Sequence, residues 1–176
     1  MSRRSAIHTL ANDIISILAI NQFPVNMELL IKELGGQLQY GEMKENYSCI
    51  IKKANYEWLN NQVNFLLYID KKESYEDNQY SLAHALGHLF LHMHYLIDKA
   101  DWRKTNDYFD SIYERYGYGT EEREADAFAI SLLVPRDELR RKYRDLFYLS
   151  KESLFIELQN HFGVSAETIK ERLCYL

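Results

Sequence analysis

Proline and cysteine are nearly missing from this chain, with two of each and only seven glycines in 176 residues. Cys49 and Cys174 stand far apart and without C-x-x-C spacing, so neither a disulfide framework nor a thiolate metal site can be built from them, and a reducing cytoplasm is the expected setting. A composition that is 47% hydrophobic and 27% charged, with so few chain breakers, excludes a disordered or low-complexity protein. Long apolar runs are also lacking: none approaches the ~18 residues of a membrane-spanning helix. The stretch after Met1-Ser2-Arg3-Arg4 is interrupted by Asn12 and Asp13 and has no small-residue cleavage site, so it reads as an amphipathic helix rather than a secretory leader. Positive charge is short as well, 21 Lys and Arg against 26 Asp and Glu, for a net charge of −5. Nucleic acid and anionic membranes are therefore disfavoured as partners, and protein or small-molecule partners are favoured.

What is present suffices for one self-sufficient domain over residues 1–176, able to bury roughly two-thirds of its unfolded surface. Two helices are expected in residues 1–36, the first with Ile7, Leu10, Ala11, Ile14 and Leu18 at helical spacing, the second capped by Asn26 and stopped by Gly35-Gly36. Residues 37–70 switch to period two at Leu38 and Tyr40, then Tyr47, Cys49 and Ile51, then Val63 to Ile69. They predict a small antiparallel sheet of three or four strands, with a hairpin at Asn60-Asn61 and Val63 to Asp70 either as an edge strand that could hold an extended substrate or, given Phe65, Leu66, Leu67 and Ile69, as plain core. Lys71 to Asn78 reads as a loop, with Asp77 or Asn78 capping the next helix. A helix starts at Thr120, its expected cap, and runs to Leu133, where Pro135 interrupts. Residues 135–176 read as three further helices, Asp137 to Phe147, Ser150 to Phe162 and Ala166 to Leu173, the last two having helix-turn-helix proportions around Gly163.

The chemistry is concentrated in residues 77–134. His84 and His88 are four apart on one helical face and can grip one metal ion, but His88 and His92 have the same spacing, so two pairs are open. On the later helix Glu122 and Asp126 are also four apart. That spacing lets Glu122 serve as a third ligand while Asp126 accepts the N–H of a ligand histidine, although acidic residues in a first turn also complement a helix dipole whatever else they do. Residues between His94 and Thr120 are dense in tyrosine and charge, and one tyrosine between Tyr108 and Tyr118 could donate to an oxyanion.

Leu82 to His92, reading LAHALGHLFLH, resembles the LAHELGHLLLH helix of the ImmA/IrrE family of zinc metallopeptidases. Glu122 to Pro135 resembles that family's ExEANxFAxxLLMP helix, and Phe162-Gly163-Val164-Ser165 with Arg172-Leu173 resembles its FxVS and RL tail. The resemblance implies a zincin-like α+β fold, Zn2+ held by His84, His88 and Glu122, Asp126 beside them where many members have asparagine, and His92 outside the ligand set. It also implies hydrolysis of a peptide bond in a regulatory protein, a repressor or antitoxin-like transcription factor carried on a separate polypeptide.

The departure is Ala85. The resemblance places there the glutamate that takes a proton from water and returns it to the leaving amine, and alanine can do neither. Ala85 is either a deliberate replacement that silences the enzyme or the mark of a natural pseudoprotease that kept the scaffold for binding. A DNA-binding role for the final helix is the lesser alternative, because Glu167 and Glu171 offset Lys170 and Arg172.

Overall fold

The computed structural model describes residues 2–41, 47–54, 63–70, 74–111 and 119–174. Two helices open the chain, α1 (Arg3–Ile17) and α2 (Met27–Glu33). Ser2 caps α1 by accepting from the Ser5 amide, and Asn26 caps α2 by accepting from Leu29, so each start follows from a side-chain oxygen placed for an otherwise orphaned N–H. Strands β1 (Gly36–Gly41), β2 (Tyr47–Lys53) and β3 (Phe65–Asp70) follow. Between α2 and β1, Gly35 sits at φ +78, a left-handed turn where a side chain would also run into Asn64.

The described strands form one four-stranded sheet in the order β1-β3-β2-β4, the fourth being β4 (Tyr108–Ser111). Three expectations change here. The sheet is mixed, because β1 and β3 run parallel while β2 is antiparallel to both β3 and β4. β3 is not an edge strand but lies between β1 and β2, and its alternation of buried Phe65, Leu67 and Ile69 with half-covered neighbours fits that interior position. The fourth strand comes after the histidine helix rather than before it. Period-two patterning reports which face a side chain takes, not the direction of the strand beside it, so none of this could be read from alternation. The expected Asn60-Asn61 hairpin lies outside the described residues.

Helix α3 (Tyr75–Leu91) forms the centre of the molecule. Its cap is Ser74, which accepts from the Asp77 amide, so it begins earlier than Asp77 or Asn78 would allow and shortens the expected loop. Every residue from Ser81 to Phe90 is buried, the signature of a helix covered on all sides. The sheet packs on one side of it and α5 (Thr120–Leu133) on the other. Its own Leu82, Leu86 and Leu89 are fully buried together with Phe65 of β3 and Phe128 of α5, each contributing about 1.5–3 kcal/mol by leaving water. A short helix, α4 (Lys99–Lys104), leads from α3 toward β4. Gly119 rather than Thr120 occupies the cap position of α5, with no side-chain hydrogen bond, since Thr120 is already helical.

Pro135 stands at the cap position of α6 (Arg136–Asp145), one residue earlier and two shorter at the far end than Asp137 to Phe147. Ser150 caps α7 (Lys151–Phe162), Gly163 turns the chain at φ +63, and Ser165 caps α8 (Ala166–Leu173). Arg172 is buried in α8 and donates from Nε to the Val134 carbonyl at 2.8 Å. Lys170 is then the exposed cation of that helix, 3.7 Å from Glu167, which makes α8 a poor surface for phosphates.

Candidate metal centre

Helices α3 and α5 touch at the backbone. Gly87 makes this possible: a Cβ there would lie 2.8 Å from the Cα of Ala125 and 3.0 Å from its carbonyl oxygen. Glu122 is one turn before Ala125, and His84 and His88 flank Gly87, so the crossing itself brings the three side chains together.

His84 Nε2 and His88 Nε2 are 2.9 Å apart. Glu122 spans them, with Oε2 3.2 Å from His84 Nε2 and Oε1 3.4 Å from His88 Nε2. A fourth group arrives from β4: Asp110 is 2% exposed and its Oδ2 lies 3.8 Å from His84 Nε2. One atom from each of His84, His88, Asp110 and Glu122 falls within a set whose members are all within 4.8 Å of one another, and all four residues are buried.

The far sides of the two imidazoles are held differently. His84 Nδ1 lies 2.9 Å from Asp126 Oδ1, which also accepts from Tyr80 at 2.8 Å. An ionised carboxylate only accepts, so Nδ1 carries the hydrogen and Nε2 is the atom left facing the cluster. His88 Nδ1 is 3.0 Å from His92 Nδ1, and His92 in turn meets Glu124 at 3.3 Å through Nε2. Glu124 is clamped by Arg3 of α1, with Arg3 Nε donating at 2.8 Å and Nη2 at 2.7 Å. The ring of Tyr108 stacks on His88 at 4.3 Å. His92 thus supports His88 and stands outside the converging set.

Burial opposes charge on His84, but hydrogen bonds to Asp126 and Glu122 and the charges of Asp126 and Asp110 outweigh it, so the imidazole is pushed up to about 9. For Glu122 burial acts upward and is overcome by the hydrogen bonds and charges of His84 and His88, which hold the carboxyl well below its ordinary range. His92 moves down, through burial first and then the neighbouring charge of His88. Electron-rich atoms converge here without enough hydrogen to separate them. Glu122 Oε2 is buried, faces His84 Nε2 at 3.2 Å and has no other hydrogen-bond partner. A cation is what such a set calls for, either a proton on His84 or a metal ion. A divalent ion with bonds of about 2.0 Å in tetrahedral array sets its ligand atoms about 3.3 Å apart; the two imidazole nitrogens stand 2.9 Å apart, and each has a different Glu122 oxygen at 3.2 or 3.4 Å, a carboxylate placed to bridge toward an ion between them. Two imidazoles with carboxylate oxygen suit a divalent transition-metal ion, zinc among them.

Ala85 is 1% exposed, and its side chain ends at a methyl group among core residues. Asp110 is the residue that sequence reasoning missed. Its signal was slight: Tyr108 and Asp110 two apart in a strand-like aromatic segment. Of the tyrosines expected near the site, Tyr108 is beside His88, while Tyr113, Tyr116 and Tyr118 lie outside the described residues.

Residues 52–174 match the peptidase family described as the IrrE N-terminal-like domain. Among solved structures the chain is similar to a Mycobacterium tuberculosis transcriptional regulator, with 15% identity and a TM-score of 0.59, over 96% of this chain and 46% of that one. The chain spans just under half the regulator's length, and at this identity the likeness concerns the fold alone. No curated protein matches.

Proposed function

This chain belongs to the IrrE N-terminal-like domain family of peptidases, and from that membership and the converging side chains we propose that it is a zinc-binding metallopeptidase domain that engages a regulatory protein without cutting it. The observation that carries the reading is the approach of Glu122 to within 3.2 and 3.4 Å of two histidine nitrogens already fixed by α3. His84, His88 and Glu122 would hold the ion, and Asp126 orients His84 by accepting its Nδ1–H. Zinc, when bound in a site of this type, polarises a carbonyl and acidifies water.

The chain's own contribution to hydrolysis would be to carry a proton from water to the leaving amine. Ala85 has no group that can do so, and loss of a positioned acid–base group typically lowers a rate by about 10²–10⁴. The domain is thus read as one that retains metal and target but not turnover. Its partner is a cytoplasmic repressor or antitoxin-like protein. DNA binding through α8 is not favoured, because Arg172 is turned inward to Val134.

The test is a mixture of the zinc-loaded protein with regulators encoded beside it, followed by size-exclusion chromatography and mass spectrometry. A complex with one zinc per chain and an uncut partner is expected. Cleavage by the protein as it stands, or loss of no zinc when His84 and Glu122 are replaced, would overturn the reading.

A further inference from the structure

We propose that Asp110 supplies a fourth metal ligand and closes the centre against water, so that the ion is a fixed part of a docking domain rather than a hydrolytic group. The proposal rests on the reading that the cluster holds a metal. It begins from β4, where antiparallel pairing with β2 sets Cys49 opposite Asp110 and Ile50 opposite Phe109. Successive side chains of a strand point to opposite faces. Phe109 is accordingly 47% exposed, while Tyr108 and Asp110 turn toward α3, Tyr108 onto the ring of His88 and Asp110 into the cluster.

The 3.8 Å from Asp110 Oδ2 to His84 Nε2 is slightly longer than the about 3.3 Å edge of a tetrahedron of ligands, a gap that a small rotation of a carboxylate closes. Catalytic zinc sites keep three protein ligands and one open position, whereas structural sites use four. With Glu122 alone the bound dication would keep a positive charge in a buried place. Asp110 and Glu122 together neutralise it among two neutral imidazoles. Ala85 agrees with the same conclusion, since an open position is useless to a chain that lacks a proton carrier beside it.

Cobalt(II) is the probe, because its visible bands report coordination number and ligand exchange without any need for activity. The full chain loaded with one cobalt is expected to show intense four-coordinate bands that excess azide leaves unchanged. Asp110→Ala is expected to bind cobalt roughly 10–100-fold more weakly in a chelator competition and to shift its bands when azide is added. Asp110→Asn, which keeps the size of the side chain and guards against a folding defect, should weaken binding in the same direction. Bands of the unaltered protein that respond to azide as Asp110→Ala does, or equal affinities for all three proteins, would overturn the role of Asp110 and leave the metal centre standing. Failure of the unaltered protein to take up cobalt at all would sink the metal reading itself.

Discussion

The cluster has a helical side and a strand side, and they are built to different standards. On the helical side His84, His88 and Glu122 project from α3 and α5, two helices locked together at Gly87, and each histidine is braced behind by its own partner. On the strand side Asp110 comes from β4, a four-residue strand hydrogen-bonded to β2, at an edge of the sheet among the described residues. The helical side holds its groups within 2.9 to 3.4 Å of one another, while the strand side brings Asp110 no nearer to His84 than 3.8 Å. The difference teaches that affinity and coordination number are separable here: the helices determine whether an ion is held, and β4 determines whether anything else can reach it.

The largest effect that would break this division concerns the missing base. Ala85→Glu alone should leave peptide hydrolysis at background, because Asp110 still blocks the fourth position. Ala85→Glu with Asp110→Ala should raise cleavage of a bound regulator by about 10²–10⁴, read from single-turnover product formation. Removal of a helical ligand comes next. His84→Ala or His88→Ala forfeits about a quarter of a zinc binding free energy of roughly 10–16 kcal/mol, and should weaken zinc by about 10²–10³-fold in chelator competition.

The two sides also differ in pH response. His84, faced by Asp126, Glu122, Asp110 and His88, must give up a proton before it can bind an ion, and its metal-free value is about 9 against an ordinary 6.5. Zinc affinity should therefore rise about tenfold per pH unit from near neutrality to about 9, as seen by titration calorimetry at several pH values. The sign for folding is opposite. A base whose value is raised in the folded state stabilises it fully below about 6.5 and loses that contribution as pH passes 9, so the metal-free protein should melt lower at pH 9 than at pH 6.

Smaller effects sharpen the helical side. Asp126→Ala removes the brace on His84 and should weaken zinc by about 10–100-fold, with the fold intact by circular dichroism. Gly87→Ala pushes α3 from Ala125 and should cost about 1–3 kcal/mol in chemical denaturation, with Glu122 carried away from the histidines.

The helical side was legible before any coordinates. Helical periodicity places His84 with His88 and Glu122 with Asp126, because residues four apart share a face in any α-helix. The choice between His84/His88 and His88/His92 was not legible from spacing, and Glu122 approaches the Nε2 atoms of His84 and His88. Asp110 was not legible for a different reason. It reaches the cluster through pairing of β4 with β2, a partner some sixty residues earlier, and a four-residue strand carries too short an alternation to announce itself. The parallel pairing of β1 with β3 escaped for want of any signal of strand direction, and the inward turn of Arg172 because a basic residue near a C-terminus reads as exposed.

On the proposed reading α3 and α5 hold one divalent ion through His84, His88 and Glu122. Zinc titration of chelator-stripped protein, beside Glu122→Gln, tests it most directly. One zinc per chain for the unaltered protein and binding weaker by about 10²-fold or more for the variant is the expected result. Stoichiometric zinc of equal affinity in both, or none in either, would contradict it.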